Sequence, residues 1–155
     1  MRSAAAFAIL SLLAAAICHG RQAHCTLRLH AEANAHDGSS FSTQIRSQFS
    51  GQTVAIEKMP VISEHDVVAF QSYRAADGSY GVLFQLDDHG RLALDSLSVD
   101  RRGTLLFVFV NGRPITELAI DRRVSDGKVY IASGLTANDI ELMKKEWPRI
   151  GPRKN

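Results

Sequence analysis

The histidines near the start of the chain have the residue type of a metal site. His24, His30 and His36 recur at six-residue intervals. In a strand, His24 and His30 would share a face but stand about 20 Å apart, because each residue advances about 3.3 Å. One zinc ion, bound at about 2 Å by each ligand, cannot join them. The spacing therefore predicts surface histidines, and we assign no metal ligand and no cofactor.

Ser63, His65 and Asp66 are the residue types of a hydrolase triad. Real triads draw their members from distant segments of the chain, and neighbours in sequence are badly placed to converge. A helix-capping box accounts for the same residues, since an acid follows Ser63 by three positions. The sequence also lacks a Gly-x-Ser-x-Gly elbow. We therefore assign no catalytic residue.

Asp87 and Asp88 are adjacent carboxylates that could attract a cation. Adjacent acids at the start of a helix ordinarily interact with its N-terminal dipole. Helical periodicity follows them and ends near Gly103, which suits a C-terminal cap. The sequence therefore predicts a capped helix here. Leu92, Ser96 and Val99 fall at helical spacing within it, and Leu94 and Leu97 flank them.

Seven segments have strand patterns, either alternating apolar and polar or continuously apolar. The stretch 104–110 is apolar on both faces, which predicts a central, buried strand. Asn111 and Gly112, which follow it, are the strongest signal for a two-residue hairpin turn. The seven segments are 25–31, 53–58, 67–73, 80–86, 104–110, 113–120 and 128–132.

A second helix is predicted near the end of the chain. Thr136 and Asp139 have the spacing of a capping box. Ile140, Met143 and Trp147 then form an apolar stripe at intervals of three and four residues. The elements together predict an α+β fold. We expect a mostly antiparallel sheet of about five to seven strands, with two main helices packed on one face.

The segment 34–50 separates the first two predicted strands. It is rich in Ser, Gln, Gly and Asp, which favours an irregular loop. Phe41, Ile45 and Phe49 recur every four residues within it, so one or two helical turns are an alternative.

The first residues have the form of a secretory signal peptide, predicted as residues 1–20. A cationic start precedes the run 4–17, which is apolar except for one serine. That run is shorter than the about 20 residues that a membrane span needs. Cleavage after Gly20 would leave 21–155 as a single α+β domain, and cleavage up to four residues earlier is an alternative.

Cys18 offers a rival interpretation of the same segment, a lipid anchor. A lipidated cysteine normally follows a small residue, and here Ile17 precedes it. Cleavage after Gly20 would leave Cys25 as a single cysteine, which favours a packed apolar residue over a nucleophile. Cleavage before Cys18 would instead permit a disulfide between Cys18 and Cys25, because export allows disulfides.

The charge balance argues against a nucleic-acid partner. Removing residues 1–20 takes one arginine, so the formal net charge falls from +2 to +1. Nucleic-acid binding needs a concentrated basic face. The paired basic residues, such as Arg101 and Arg102, instead have acids beside them. These pairs are typical of a solvated surface.

Five segments occur in an order that resembles a known family. They are 60–67, 81–87, 103–114, 126–131 and 134–140. From about residue 56 to 147 the chain resembles the head region of the first periplasmic domain of SecD, an accessory subunit of protein export. The layout also resembles small exported bacterial proteins of unknown function, which have a signal peptide and one such domain.

The resemblance implies the fold and an ability to contact polypeptides. It implies no catalytic residue, because that head region is not an enzyme. SecD also has membrane spans, whereas no apolar run after Ile17 is long enough to cross a membrane. The implied role therefore excludes proton-driven translocation.

We predict an exported interaction module of the bacterial envelope, periplasmic or secreted, whose partner is a polypeptide or an envelope protein. The alternatives are a small envelope hydrolase with an unrecognised site and a lipid-anchored structural protein. The predicted interaction face is Leu105, Phe107 and Phe109 on one side of the central strand. Two helices cover one face of a sheet, so this side needs the segment 34–50, a second copy or a partner as cover. An uncovered apolar patch would mark an interaction site.

Overall fold

The structure, a computed structural model, describes residues 24–34 and 36–151. The predicted signal peptide and Cys18 lie outside these residues. Strands that the structure describes are β1 (Leu27–Ala31), β2 (Ser42–Arg46), β3 (Thr53–Glu57), β4 (Ile62–Ser63), β5 (Val67–Arg74), β6 (Tyr80–Leu86), β7 (Leu105–Val110), β8 (Arg113–Ala119) and β9 (Lys128–Leu135). The α-helices are α1 (Asp88–Asp100) and α2 (Ala137–Glu146), and a short 3₁₀ helix occupies Glu64–Asp66. No helix in the described ranges is both long and apolar enough to cross a membrane.

The strands form three antiparallel sheets. The first has the order β4-β1-β7-β8, the second pairs β2 with β3, and the third has the order β5-β6-β9. The predicted α+β class is confirmed, but the single sheet that we expected is divided. The division falls between β8 and β9, which belong to different sheets. Leu118 of β8 and Val129 of β9 both line a pocket of about 190 Å³.

One hydrophobic core joins the inner faces of the four-stranded and three-stranded sheets to both helices. Trp147, just after α2, packs edge-on against Phe70 and Phe84, with ring centroids 6.4 and 5.7 Å apart. Such aromatic pairs add about 0.5–1.5 kcal/mol to the effect of burial alone. Both helices therefore lie against the same core, as the sequence predicts.

Strand β7 lies inside the four-stranded sheet, between β1 and β8. Val108 and Val110 are fully buried on its inner face, and Phe107 is 2% exposed on the other. Burial on both sides explains why the segment lacks the polar alternation of a half-exposed strand. The predicted central strand is confirmed.

Helix α1 does not turn the row of Leu92 and Val99 to the core. Leu94 and Leu97 are buried, whereas Leu92 and Val99 are 56% and 53% exposed. The backbone at Gly90 explains the difference, because a Cβ there would stand 2.8 Å from the Asp66 side chain. This close approach turns positions 90, 94 and 97 inward, and Leu92 and Val99 therefore face solvent.

The segment 34–50 contains a strand, so the predictions of an irregular loop and of helical turns are wrong there. Strand β2 pairs with β3, with Thr43 opposite Ile56 and Ile45 opposite Val54. The four-residue recurrence of aromatic and aliphatic side chains therefore has no helical basis. Phe41 is 74% exposed, as is expected of a residue outside the core. Strand-to-strand pairing overrides local composition here.

The turn between β7 and β8 has positive φ at both central residues, 50° at Asn111 and 74° at Gly112. This conformation confirms the predicted hairpin turn. Asparagine and glycine tolerate it, whereas a β-branched residue is strained there.

We expect Gly112→Val to lower the free energy of unfolding by about 1–3 kcal/mol, because the valine must adopt a strained backbone. Urea unfolding measures the change. Gly38→Val is the matched control, since Gly38 lies in open space without positive φ. Equal stability of the two variants would contradict the strain argument.

Candidate functional site

The predicted interaction face is only partly accessible. Of its three residues, Phe107 is buried, with 2% of its surface exposed. Leu105 and Phe109 are half-buried. A partner cannot reach Phe107 without moving whatever covers it, whereas Phe109 remains in reach.

The hairpin of β2 and β3 covers Phe107. The sheet neighbours of Phe107 are His30 on β1 and Glu117 on β8. His30 Nδ1 donates to the carbonyl oxygen of Glu57 over 2.7 Å. The buried Glu117 carboxylate accepts from Ser47 Oγ over 2.8 Å and from the backbone N–H that follows Ser47 over 2.6 Å. Both ends of the hairpin are therefore fastened to the sheet.

The segment 34–50, which we considered as the cover, supplies β2 and the turn of this hairpin, whereas β3 lies outside it. Ile56 of β3 is 2% exposed, so the hairpin buries an apolar side chain of its own. Phe41 and Phe49, which we expected to contribute, are 74% and 72% exposed. Hydrogen bonds and Ile56, rather than the two phenylalanines, hold the cover in place.

A groove of about 380 Å³ remains open between the hairpin and the sheet. Its floor is the outward row of the β1 segment, Thr26, Arg28 and His30. Because alternate residues of a strand lie on one face at about 3.3 Å per residue, this row is about 13 Å long. That length suits about four residues of an extended chain.

The sides of the groove are largely apolar. Phe109 and Gly112 form one side, and Thr43, Ile45 and Ile56 form the side that belongs to the hairpin. The groove thus contains Phe109, the accessible residue at one end of the predicted interaction face. It also contains hairpin residues that sequence reasoning missed, because β2 carries a polar pattern.

His30 has a fixed orientation at one end of the floor. Its ring packs edge-on against Phe109, with centroids 5.4 Å apart. The Nδ1 atom must carry a proton, because its partner, the Glu57 carbonyl, only accepts. In the neutral ring, Nε2 is therefore a hydrogen-bond acceptor.

A second surface lies on the outer face of the three-stranded sheet. The rings of Tyr73 and Tyr130 stack there at 7°, with centroids 5.5 Å apart. Tyr73 Oη donates to the carbonyl oxygens of Ile131 and Ala132 over 2.8 and 3.0 Å. Burial, and then the neighbouring Tyr130 hydroxyl, raise the pKa of Tyr73. These contacts fix the Tyr73 ring in place over Gly81 of β6.

Asp66, Asp87 and His89 form the cluster of described residues best arranged to hold a cation. Their potential ligand atoms lie within 4.8 Å of one another. The carboxylates already act as caps: Asp66 accepts from the backbone N–H and hydroxyl of Ser63, and Asp87 accepts from the N–H of Gly90 over 2.8 Å. Local helix capping therefore accounts for this arrangement.

His89 completes the partners of Asp66 in that cluster. Its Nδ1 lies 2.6 Å from Asp66 Oδ1, and this hydrogen bond raises the pKa of His89. Burial alone would raise the pKa of Asp66, but hydrogen bonds from Ser63 and His89 outweigh it and lower that pKa. The pair joins the first turn of α1 to the 3₁₀ helix.

The triad-like residues form the capping box that the sequence predicts. Ser63 donates its hydroxyl to Asp66 directly over 3.1 Å. Within the described residues, no hydrogen bond joins the His65 ring to Ser63 or Asp66, and only the His65 backbone N–H reaches Ser63 Oγ. The serine hydroxyl is therefore oriented by a cap.

Cys25 is 2% exposed in the hydrophobic core. Burial, followed by the negative charges of Asp139, Glu146 and Glu64, raises the pKa of its thiol to about 12. Because thiolate is the reactive form, this thiol is a packed apolar group at neutral pH. His24, the residue before Cys25, has its Nδ1 atom 2.8 Å from Glu146 Oε1.

Comparison with known proteins gives a relationship of fold. A solved structure of SecDF, described as a membrane component that enhances protein export, matches 83% of this chain and 66% of its own, with a TM-score of 0.55 and 13% identity. SecDF in a super-membrane-facing form matches the same 83% and 20% of its own chain, also at TM-score 0.55 and 13% identity. The chain has a SecD-like fold.

The resemblance predicted from the sequence is thus confirmed at the level of the fold. No family model and no curated protein matches the chain. The chain spans just under two thirds of one SecDF chain and a fifth of the other. Within the SecD-like fold, the groove beside Phe109 is the place where the predicted interaction face meets an open, partly apolar surface.

Proposed function

We propose that this protein is an exported, non-catalytic module of the bacterial envelope that binds extended polypeptide segments. The observation that carries the proposal is the open groove beside Phe109, which lies on the predicted interaction face. The SecD-like fold supports it, since SecDF is described as enhancing protein export. The partner is an incompletely folded polypeptide in the compartment to which this chain is exported.

The shape and chemistry of the groove suit such a partner. Ile45 and Phe109, both half-buried, offer apolar contacts for one side chain of the bound segment. Thr26 and Thr43 add hydroxyl groups for its backbone. Burying one large apolar side chain contributes about 1.5–3 kcal/mol before the costs of association. Binding should therefore be weak and reversible, which suits a module that releases its partner.

We expect Ile45→Ser to weaken the binding of an unfolded polypeptide about tenfold or more, because the groove loses an apolar wall. Fluorescence anisotropy with a labelled, unfolded model polypeptide measures the dissociation constant. Mass spectrometry of the recovered polypeptide tests whether it stays intact.

Phe49→Ser is the matched control for that variant. Phe49 is a large apolar side chain that is 72% exposed and lies outside the groove lining. Equal losses of affinity for the two variants would indicate nonspecific hydrophobic binding and contradict the groove as the binding site. Cleavage of the polypeptide would favour the hydrolase alternative.

Export is part of the same proposal and has its own test. We expect the mature chain to begin between Ile17 and Cys25, because the apolar run of the signal ends there. Intact mass and N-terminal sequencing of the protein from the envelope measure this. An uncut Met1 in the final compartment would contradict export by cleavage, and an added acyl mass on Cys18 would favour the lipid anchor.

A further inference from the structure

We infer that the groove prefers polypeptide segments in which an acidic side chain lies close to an apolar one. The inference rests on the proposed function and specifies its ligand. Among the described residues that line the groove, Arg28 is a cation, His30 offers an imidazole, and none is acidic. The groove therefore complements a carboxylate better than an amine.

Arg28 and Phe109 bring the two kinds of contact together. They are directly opposite on β1 and β7, so their side chains lie on the same face of the sheet. Directly opposite residues have Cβ atoms about 4.5–5.5 Å apart. A bound extended segment that places an apolar side chain on Phe109 thus brings the next side chain on the same face, two residues along, within reach of the guanidinium.

The guanidinium of Arg28 is accessible to a ligand. The Arg28 side chain is 56% exposed. Its contact with Glu64 measures 3.9 Å, which is longer than a hydrogen bond, so the pair leaves the guanidinium donors for another acceptor. A carboxylate can accept two parallel N–H donors from one guanidinium, and an amide cannot match this geometry.

His30 sets the spacing along the floor. It lies two residues from Arg28 on the same face, about 6.6 Å away, which is also the spacing of alternate residues in an extended peptide. Its Nε2 can accept a backbone N–H of the segment, because Nδ1 is held by the Glu57 carbonyl. The preferred segment therefore has the form acidic–any–apolar.

Three peptides that differ at one position test the preference: Glu-x-Leu, Gln-x-Leu and Lys-x-Leu in the same flanking sequence. We expect wild type to bind the Glu peptide about fivefold more tightly than the Gln peptide, and the Lys peptide most weakly. Arg28→Gln should abolish the difference between Glu and Gln. Arg102→Gln, which alters an exposed arginine outside the groove lining, should preserve it. The difference should also shrink as salt rises.

The outcomes separate the inference from the proposed function. Equal binding of all three peptides to wild type, or a Glu preference that survives Arg28→Gln, would overturn the charge preference and leave the polypeptide-binding function standing. If none of the three peptides binds to the folded protein, both the charge preference and the polypeptide-binding function are overturned.

Discussion

Replacing Asp139 by alanine should lower the free energy of unfolding by about 3–4 kcal/mol, because it removes a buried carboxylate that caps α2 and accepts four hydrogen bonds. The Asp139 carboxylate accepts from the backbone N–H and hydroxyl of Thr136 over 2.8 and 2.7 Å. It also accepts from Asn111 Nδ2 over 2.8 Å and Arg113 Nη2 over 2.5 Å. One side chain therefore joins the first turn of α2 to the β7–β8 turn.

The same carboxylate gives the stability a defined dependence on pH. Burial alone would raise the pKa of Asp139, but hydrogen bonds from Thr136, Asn111 and Arg113 outweigh it and lower that pKa. Its contribution is therefore complete above the unfolded pKa of about 3.9 and is lost as pH falls through the lower, folded value. Wild type should therefore lose stability by this route as the pH falls below about 4.

Urea unfolding at pH 7 and at acidic pH tests both statements. Asp139→Asn keeps the shape of the side chain and removes its charge. The free energy of unfolding of this variant should therefore fall less between pH 7 and acidic pH than that of wild type. Glu141→Gln is the control, since Glu141 is on the same helix with a side chain that is 63% exposed. A loss below about 1 kcal/mol for Asp139→Ala, the range of an exposed ion pair, would contradict the role of this carboxylate.

Gly81→Ala should destabilise the protein by about 3 kcal/mol or more, as overpacking against fixed atoms does. A Cβ at this position would overlap the ring of Tyr73 and the carbonyl oxygen of Ala132. The ring is held by two hydrogen bonds from its hydroxyl, and a backbone carbonyl cannot rotate away. The irregular pairing of β6 with β9 at this point brings that carbonyl close.

Gly103→Ala separates this steric effect from the cost of backbone conformation. Gly103 has a φ of 90° and open space around its Cβ position. Its substitution should cost about 1 kcal/mol through backbone strain alone. Thermal or urea unfolding of the two variants gives the comparison, and similar losses for both would show that Tyr73 and Ala132 move aside easily.

Elements set by neighbouring residues were predictable from the sequence. The capping boxes at Ser63 and Thr136 depend on side chains three positions apart, and the structure has both. The turn at Asn111 and Gly112 depends on which residues tolerate positive φ. The buried strand β7 was predictable because both of its faces are apolar in sequence.

Features set by tertiary contacts could not be predicted in the same way. Strand β2 is polar and is stabilised by pairing with β3, so no local pattern indicated it. The inward face of α1 depends on the close approach of Gly90 to Asp66, a residue on another element. The groove depends on both strands of the hairpin and on the contact of His30 with Glu57, so only the Phe109 side of it followed from the sequence.

Amide-resolved NMR titration of the folded protein with an unfolded polypeptide shows whether the groove is the binding site. We expect chemical-shift changes centred on the groove, at Thr26, Arg28, Thr43, Ile45 and Phe109. Changes centred instead on the stacked pair Tyr73 and Tyr130, or no change at saturating polypeptide, would contradict the groove as the binding site.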